Sequence, residues 1–291
     1  MDLRNVQKTG KMFYVYLPTH WCKKYNVTGT SKVDVEQNSD GSLLISAVRK
    51  KKEKSKLNVD LSGYKGTLSP GVVNKLVVAS YINPADSFRI DLNREIDMAE
   101  LIEQKNLLNI EFVDFGKRHI ACETPVSIQE PYILLKTMLK KVKAMLYIMV
   151  NNYHEPLIQK YEDEVDKSKL LIEKAVIHGL VRGGAFSMRP VELYYTSLLA
   201  KEMERFVDHA KELGSQDKAF LRTLEVFLEN IILVLEKIEQ KTMSYDDLVD
   251  FLQSVDAQHM KRYKEYHKMR IMSSMRLMSE TIADWLITSH L

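Results

Sequence analysis

The stretch Leu198-Leu-Ala-Lys-Glu-Met-Glu-Arg-Phe-Val-Asp-His-Ala-Lys-Glu-Leu213 decides the fold of this chain. Its apolar residues recur every three or four positions, which predicts an α-helix with one face in a core. That face carries Tyr195, Leu199, Phe206, Ala210 and Leu213. Glu204 and Asp208 fall on the opposite side beside Lys201, so we expect two acids on the outer surface of this helix.

An earlier acidic pair, Glu162 and Asp166, has the same four-residue spacing. Carboxylates at this spacing share one side of a helix, and their repulsion costs stability unless a cation lies nearby. The run between the two pairs, residues 179–187, is rich in glycine and resembles a turn. Folding back there sets positions 164 and 206 at one level and brings four carboxylates together. A multivalent cation would neutralise them, and a plain solvated acidic face is the alternative.

The chain is predicted to be helical from Ser127 to its end. Ser127 with Glu130 and Ser244 with Asp247 are typical capping boxes, and Ser215 is expected to cap the helix that follows Gly214. The predicted helices cover residues 128–152, 156–180, 190–213, 216–241, 245–268 and 271–290. A single continuous helix from 245 to 290 remains an alternative, because no glycine or proline separates the last two.

These six helices divide into two sets of three, and the last helix of each set carries an acidic pair. In the second set Glu280 and Asp284 lie opposite the apolar face, and the preceding helix contributes Asp256 together with Met260. Methionine is a poor ligand for the ions that carboxylates prefer, so we expect this second site to be weaker or empty. The outward placement of both sites disfavours a ferritin-like di-iron centre, whose ligands face inward.

The first 48 residues are predicted to form short β-strands and one short helix. Such a small piece buries too little apolar surface to fold alone, which predicts a dimer. Residues 1–56 hold 12 Lys and Arg against 5 Asp and Glu, whereas the remainder holds 30 against 34. The run Arg49-Lys-Lys-Lys-Glu-Lys-Ser-Lys56 is either a solvated linker or a contact for nucleic-acid phosphate.

Residues 49–125 combine the basic run with a small α/β segment. A helix is predicted from Ser69 to Ile82 and another from Asp97 to Lys105, with strands at 87–91, 110–113 and 119–122. Cys22 and Cys122 have no metal or disulfide spacing. The sequence has no apolar run long enough to span a bilayer and no apolar leader, so we expect a cytoplasmic protein without membrane insertion.

The two acidic stretches, Tyr161-Glu-Asp-Glu-Val-Asp166 and the stretch quoted first, resemble the PhoU phosphate-signalling family over residues 126–291. The resemblance implies an all-α bundle of two three-helix repeats that carries surface clusters of iron or zinc. The ligands that it implies are Glu162, Asp166, Glu204, Asp208, Asp256, Glu280 and Asp284.

Residues 1–48 are similar to the AbrB/SpoVT swapped-hairpin domain, through Leu3-Arg-Asn-Val-Gln-Lys-Thr-Gly10, Tyr16-Leu-Pro18, Trp21-Cys-Lys-Lys24 and Asp40-Gly-Ser-Leu-Leu-Ile45. This likeness implies a homodimer formed through the domain. The DNA contacts that it implies are Arg4, Lys8, Lys11, Lys23 and Lys24. The order of the three parts resembles phosphate uptake regulators of the archaeal type.

Three functions follow as hypotheses. We expect first a metal-binding, DNA-binding regulator of phosphate uptake, which is not an enzyme. The second is an accessory protein without a DNA target that docks on a phosphate ABC transporter or a sensor kinase. A carboxylate-bridged metalloenzyme is the third, and the sequence offers it no general base or buried nucleophile.

Overall fold

The computed structural model describes residues 3–37, 41–47, 55–95, 114–123, 129–182, 186–259 and 265–289. The chain divides into two units, Met1–Glu53 and Lys54–Leu291. Residues on both sides of position 125 belong to the second unit, which is mostly helical. Most of the basic run at 49–56 lies outside the described residues.

The N-terminal unit consists of two small antiparallel hairpins and a short helix in its described residues. Its elements are β1 (Gln7–Thr9), β2 (Met12–Tyr14), α1 (Thr19–Lys24), β3 (Asp34–Gln37) and β4 (Leu43–Ser46). Gly10 turns the first hairpin at a φ of +61°, a conformation that glycine adopts without strain. None of the described side chains in this unit is buried, so its described part has no apolar core of its own.

In its described residues, the second unit opens with a four-stranded sheet and one helix. The elements are β5 (Lys56–Asp60), α2 (Pro70–Ile82), β6 (Ser87–Asp91), β7 (Asp114–Gly116) and β8 (His119–Glu123). The strand order is β5-β6-β8-β7, with β5 and β6 parallel and joined through α2, and the other pairs antiparallel. The Ser69 hydroxyl accepts a hydrogen bond from the Val72 amide and caps α2, which ends at Ile82 as predicted. The helix predicted at 97–105 and the strand predicted at 110–113 lie outside the described residues.

The rest of the second unit is a helical bundle. Its helices are α3 (Pro131–Asn151), α4 (Glu155–Arg182), α5 (Pro190–Lys211), α6 (Lys218–Glu239), α7 (Tyr245–His259) and α8 (Tyr266–Ser289). Helices α3, α4 and α5 contact one another, and α7 contacts both α6 and α8. The two sets meet through α3 with α6 and through α5 with α8, that is, through helices that hold equivalent places in each set.

Several helix boundaries predicted from the sequence were wrong. Helix α3 begins at Pro131 rather than at 128, since Glu130 occupies the N-cap position and its carboxylate accepts hydrogen bonds from Ser187. Helix α6 is capped by Asp217 rather than by Ser215, because the Asp217 carboxylate accepts from the Phe220 amide at 3.0 Å.

A further error concerns the end of the bundle. Helix α7 ends at His259, and residues 266–268, which were assigned to it, already belong to α8. The described residues therefore contain two separate helices here and not a single one from 245 to 290.

The small sheet sits on α4 of the bundle. Leu170 packs into the apolar cluster formed by Val77, Ile90 and Ile120. One turn later the buried Lys174 ammonium donates to the backbone carbonyls at the end of α2, namely those of Tyr81 at 2.6 Å and Asn83 at 3.3 Å. Helix α4 thus serves both the sheet and the acidic face of the bundle.

Candidate functional site

The acidic face lies along α4 and α5, which pack against each other. The predicted apolar face of α5 is confirmed in the core, where Leu199, Phe206 and Ala210 are buried. Glu204 is half-buried and Asp208 is exposed on the other side. The amphipathic pattern therefore placed both acids correctly relative to the core.

Two ion pairs between α4 and α5 indicate their register. Lys211 contacts Glu162 at 3.2 Å, and Lys201 contacts Glu173 at 3.7 Å. These pairs place position 162 opposite 211, whereas the hairpin predicted from the sequence, with 164 level with 206, places 162 opposite 208. At a rise of 1.5 Å per residue, the observed register differs from the predicted one by about 5 Å, and Asp166 rather than Glu162 lies near the level of Asp208.

Glu162 is the buried member of the set. Its side chain is only 4% exposed, and its carboxylate accepts hydrogen bonds from Gln159 at 2.5 Å and from Lys211 at 3.2 Å. A buried carboxylate is stable in its ionised form only with such partners. The Lys211 ammonium supplies the positive charge that the sequence pattern assigned to a metal.

Glu204 lies near a different carboxylate of α4. Burial raises the pKa of the Glu204 carboxyl, nearby Asp208 and Glu173 raise it further, and Lys169 opposes them. Lys169 is also 3.9 Å from Glu173. Glu173 is thus an acid of this face that the i, i+4 spacing of acids does not include. Its place on α4 one turn after Lys169 is the pattern that could have predicted it.

The second predicted ligand set also has a cation among its acids. Asp256, Glu280 and Asp284 are exposed, and the Arg276 guanidinium donates to Glu280 at 2.7 Å. Glu280 and Asp256 both raise the pKa of Arg276, which places Arg276 within their electrostatic reach. Met260 lies outside the described residues.

Both groups of carboxylates could bind a cation. In both groups, lysine or arginine side chains already provide the positive charge. Carboxylate oxygens are ligands for hard and borderline ions. No group of three or more His, Cys, Asp or Glu in the described residues is arranged to hold a metal ion. The side chains as they stand therefore do not fit a metal without movement of the neighbouring lysines and arginine, and the metal-ligand prediction stays a prediction.

The basic residues of the N-terminal unit lie on its exposed surface. Lys8 sits in β1 with its ammonium 5.4 Å from the centre of the Phe13 ring, and Lys24 ends α1 at the same distance from Tyr25. Arg4 precedes β1, Lys11 lies in the hairpin turn, and Lys23 neighbours Lys24. This arrangement offers a hairpin and a helix end to an anionic partner.

A pair of histidines joins α5 to α8 beside the acidic face, and no sequence pattern predicted it. The Nδ1 atoms of His209 and His267 are 3.3 Å apart. No spacing rule relates residues 58 positions apart, so only the packing of α5 on α8 could reveal the pair.

Among the described residues, no helix is both long and apolar enough to cross a bilayer. The chain matches no protein-family model, no curated protein and no solved structure.

Proposed function

We propose that the protein is a homodimeric, cytoplasmic regulator of phosphate uptake of the PhoU type, whose N-terminal unit binds DNA. The single observation that carries the proposal is that this unit exposes most of its large apolar side chains together with its basic residues. A second copy of the unit would cover the apolar side chains and leave the basic ones available.

The need for a partner follows from exposure. Phe13 is 68% exposed, Tyr16 64% and Leu43 62%, and these belong to both hairpins of the unit. Apolar surface of this extent favours association, because each buried side chain contributes about 1.5 to 3 kcal/mol. Pairing two copies also doubles the basic set, which suits the two strands of a DNA duplex.

The bundle supports the regulatory half of the proposal. Its two three-helix sets meet through equivalent helices, as a repeated unit would, and each set carries acids on its outer face. In our proposal these acids exchange their lysine and arginine partners for iron or zinc ions, and the bundle relays phosphate status to the DNA-binding unit.

DNA binding is tested by the affinity of the full chain for promoter DNA of phosphate-transport operons at two salt concentrations. Tight retention at low salt that weakens steeply at high salt is expected, with a slope of about 0.9 for each phosphate contact. The variant Lys23→Gln/Lys24→Gln should bind more weakly and with a smaller slope. Lys218→Gln, in the first turn of α6, removes an exposed charge and should change nothing. Absence of retention at low salt contradicts the proposal.

Metal binding is tested by elemental analysis of purified protein. We expect Glu204→Gln and Asp208→Asn to lower the metal content per chain, while Asp250→Asn, on an exposed face of α7, should keep it. Equal metal content in all four proteins would reject these ligands.

A second candidate function has its own observation. Val226 and Leu233 lie seven residues apart on one face of α6 and are 50% and 56% exposed, with the half-exposed Tyr147 on the neighbouring α3. Such a strip suits docking on a phosphate ABC transporter or a sensor kinase without a DNA target. Absence of DNA retention together with capture of such a component, lost in Leu233→Asp, would favour this second function.

A further inference from the structure

The histidine pair stands at the contact between the two three-helix sets. His209 lies near the end of α5 and His267 at the start of α8, and these two helices pack along each other. The imidazole rings are tilted by 60° with their centres 5.4 Å apart. Tyr266 packs its ring edgewise against both, which fixes their orientation.

The separation of the two Nδ1 atoms suits a shared metal ion. A zinc ion with tetrahedral geometry and Zn–N bonds of about 2.0 to 2.1 Å holds two nitrogens about 3.4 Å apart. The observed distance is 3.3 Å. The two nitrogens are also within hydrogen-bonding distance, so a metal ion would replace the proton that one ring donates to the other.

Charged groups of both signs surround His209. Asp208 and Glu212 lie close enough to act on it electrostatically and would favour an arriving cation, whereas Arg270 would oppose one.

We propose that His209 and His267 together bind a divalent transition-metal ion, with zinc as the first choice, and that this ion clamps α5 to α8. Imidazole nitrogen suits zinc, copper and nickel. The described residues offer no third His, Cys, Asp or Glu in a suitable position. Water molecules would complete the coordination of the metal, and they can reach the site because the neighbouring Tyr266 lies at the exposed surface.

Arg270 competes with the metal. Its Nε donates to His209 Nε2 at 3.4 Å. A metal ion on Nδ1 leaves the proton of the neutral ring on Nε2, which then cannot accept from Arg270. Binding therefore requires the exposed Arg270 side chain to swing away, and its removal should strengthen the site.

The test is a zinc titration of the full chain against a chromophoric chelator. His209→Ala and His267→Ala should each weaken zinc binding at one site by at least about tenfold. Arg270→Gln should strengthen it severalfold. His154→Asn, which alters an exposed histidine before α4, and Glu204→Gln, which alters the acidic face, should leave this site unchanged.

Three results would overturn the proposal. They are wild-type affinity in both histidine variants, absence of zinc binding in the wild type, and loss of the site in Glu204→Gln alone. Thermal unfolding provides a second readout, because zinc should raise the Tm of the wild type and not that of the histidine variants. His209→Gln and His267→Gln replace the alanine variants if either of those fails to fold. The proposal does not rest on DNA binding or on the carboxylate ligands, so its failure leaves the proposed function untouched.

Discussion

At the residue scale, one ion pair ties the start of α6 to the start of α8. The Lys268 ammonium, 10% exposed, contacts the Asp217 carboxylate at 2.5 Å. The same carboxylate caps α6 through the Phe220 amide. The Lys268 hydrogen bond and then the backbone hydrogen bond lower the pKa of Asp217. One side chain therefore performs two stabilising roles.

Asp217→Ala should lower the free energy of unfolding by about 1 to 2 kcal/mol, because it removes the cap. Asp217→Asn, which keeps a capping oxygen, should lower the free energy of unfolding by less. Since the pKa of Asp217 is lowered in the folded state, its stabilisation is present above the unfolded pKa of about 4 and is lost as the pH falls. Urea unfolding at pH 7 and at pH 3 measures both effects.

The control for this prediction is Asp250→Ala, an exposed acid in the middle of α7. It should change the free energy of unfolding by less than about 0.5 kcal/mol. If Asp217→Ala and Asp250→Ala lowered the free energy of unfolding equally at pH 7, Asp217 would have no special stabilising role. The sequence predicted a cap at Ser215 because serine and aspartate cap equally well, and only the position of the first helical turn decides between them.

At the element scale, Lys174 joins the end of α2 to the middle of α4. Burial lowers the pKa of this lysine to about 8, and its ammonium satisfies carbonyls that α2 cannot bond internally. The Tyr81 ring lies 4.8 Å from the ammonium and covers it. No rule of sequence spacing predicts this contact, because the residues are more than 90 positions apart.

Lys174→Met should lower the free energy of unfolding at pH 7 by about 1 to 3 kcal/mol, since it leaves buried carbonyls unpaired. The folded pKa of about 8 lies below the ordinary lysine pKa of 10.5, so between these values the unfolded state binds more protons. The wild type should therefore gain stability relative to Lys174→Met as the pH rises from 8 to 10.5. Denaturant unfolding of both proteins across this pH range measures the difference in their free energies of unfolding. A difference that stays constant with pH would contradict this prediction.

The end of α5 depends on the conformation of Gly214, which has a φ of +59°. Gly214→Ala should lower the free energy of unfolding by about 1 to 2 kcal/mol, because alanine is strained there. Gly71→Ala, at a position in α2 where an added methyl group meets nothing, should leave it unchanged or raise it by up to about 1 kcal/mol. Thermal unfolding of both variants measures the contrast, and a stabilised Gly214→Ala would contradict it.

The sequence predicted the faces of the helices better than their register. The alternation in α5 correctly placed Phe206 in the core and Glu204 outside. The register of α4 against α5 depends on how the ends of the hairpin are built, and residues 183–185 of that hairpin lie outside the described residues. The contact of Lys211 with Glu162 also depends on the reach of a long side chain, which a helical projection does not include.

At the scale of the whole molecule, the proposed dimer depends on the apolar surface of the N-terminal unit. The second unit has two buried apolar clusters of its own, whereas the described part of the first has none. The sequence predicted this contrast from the size of residues 1–48, because a chain of that length cannot enclose a core.

Phe13→Asp should convert the full chain from dimer to monomer at micromolar concentration, since a charge in the buried interface is costly. Leu233→Asp, at a comparably exposed position on α6, should leave the dimer intact. Light scattering after size-exclusion chromatography measures both masses. A dimer that survives Phe13→Asp would place the interface elsewhere.

The most direct test of the central claim is the sedimentation-equilibrium mass of the full chain, alone and with a duplex from a phosphate-transport promoter. The account predicts a protein of twice 33.7 kDa that forms a complex of one dimer with one duplex at low salt and releases it at high salt. A monomer of 33.7 kDa, or a dimer that leaves the duplex unbound at low salt, would contradict it.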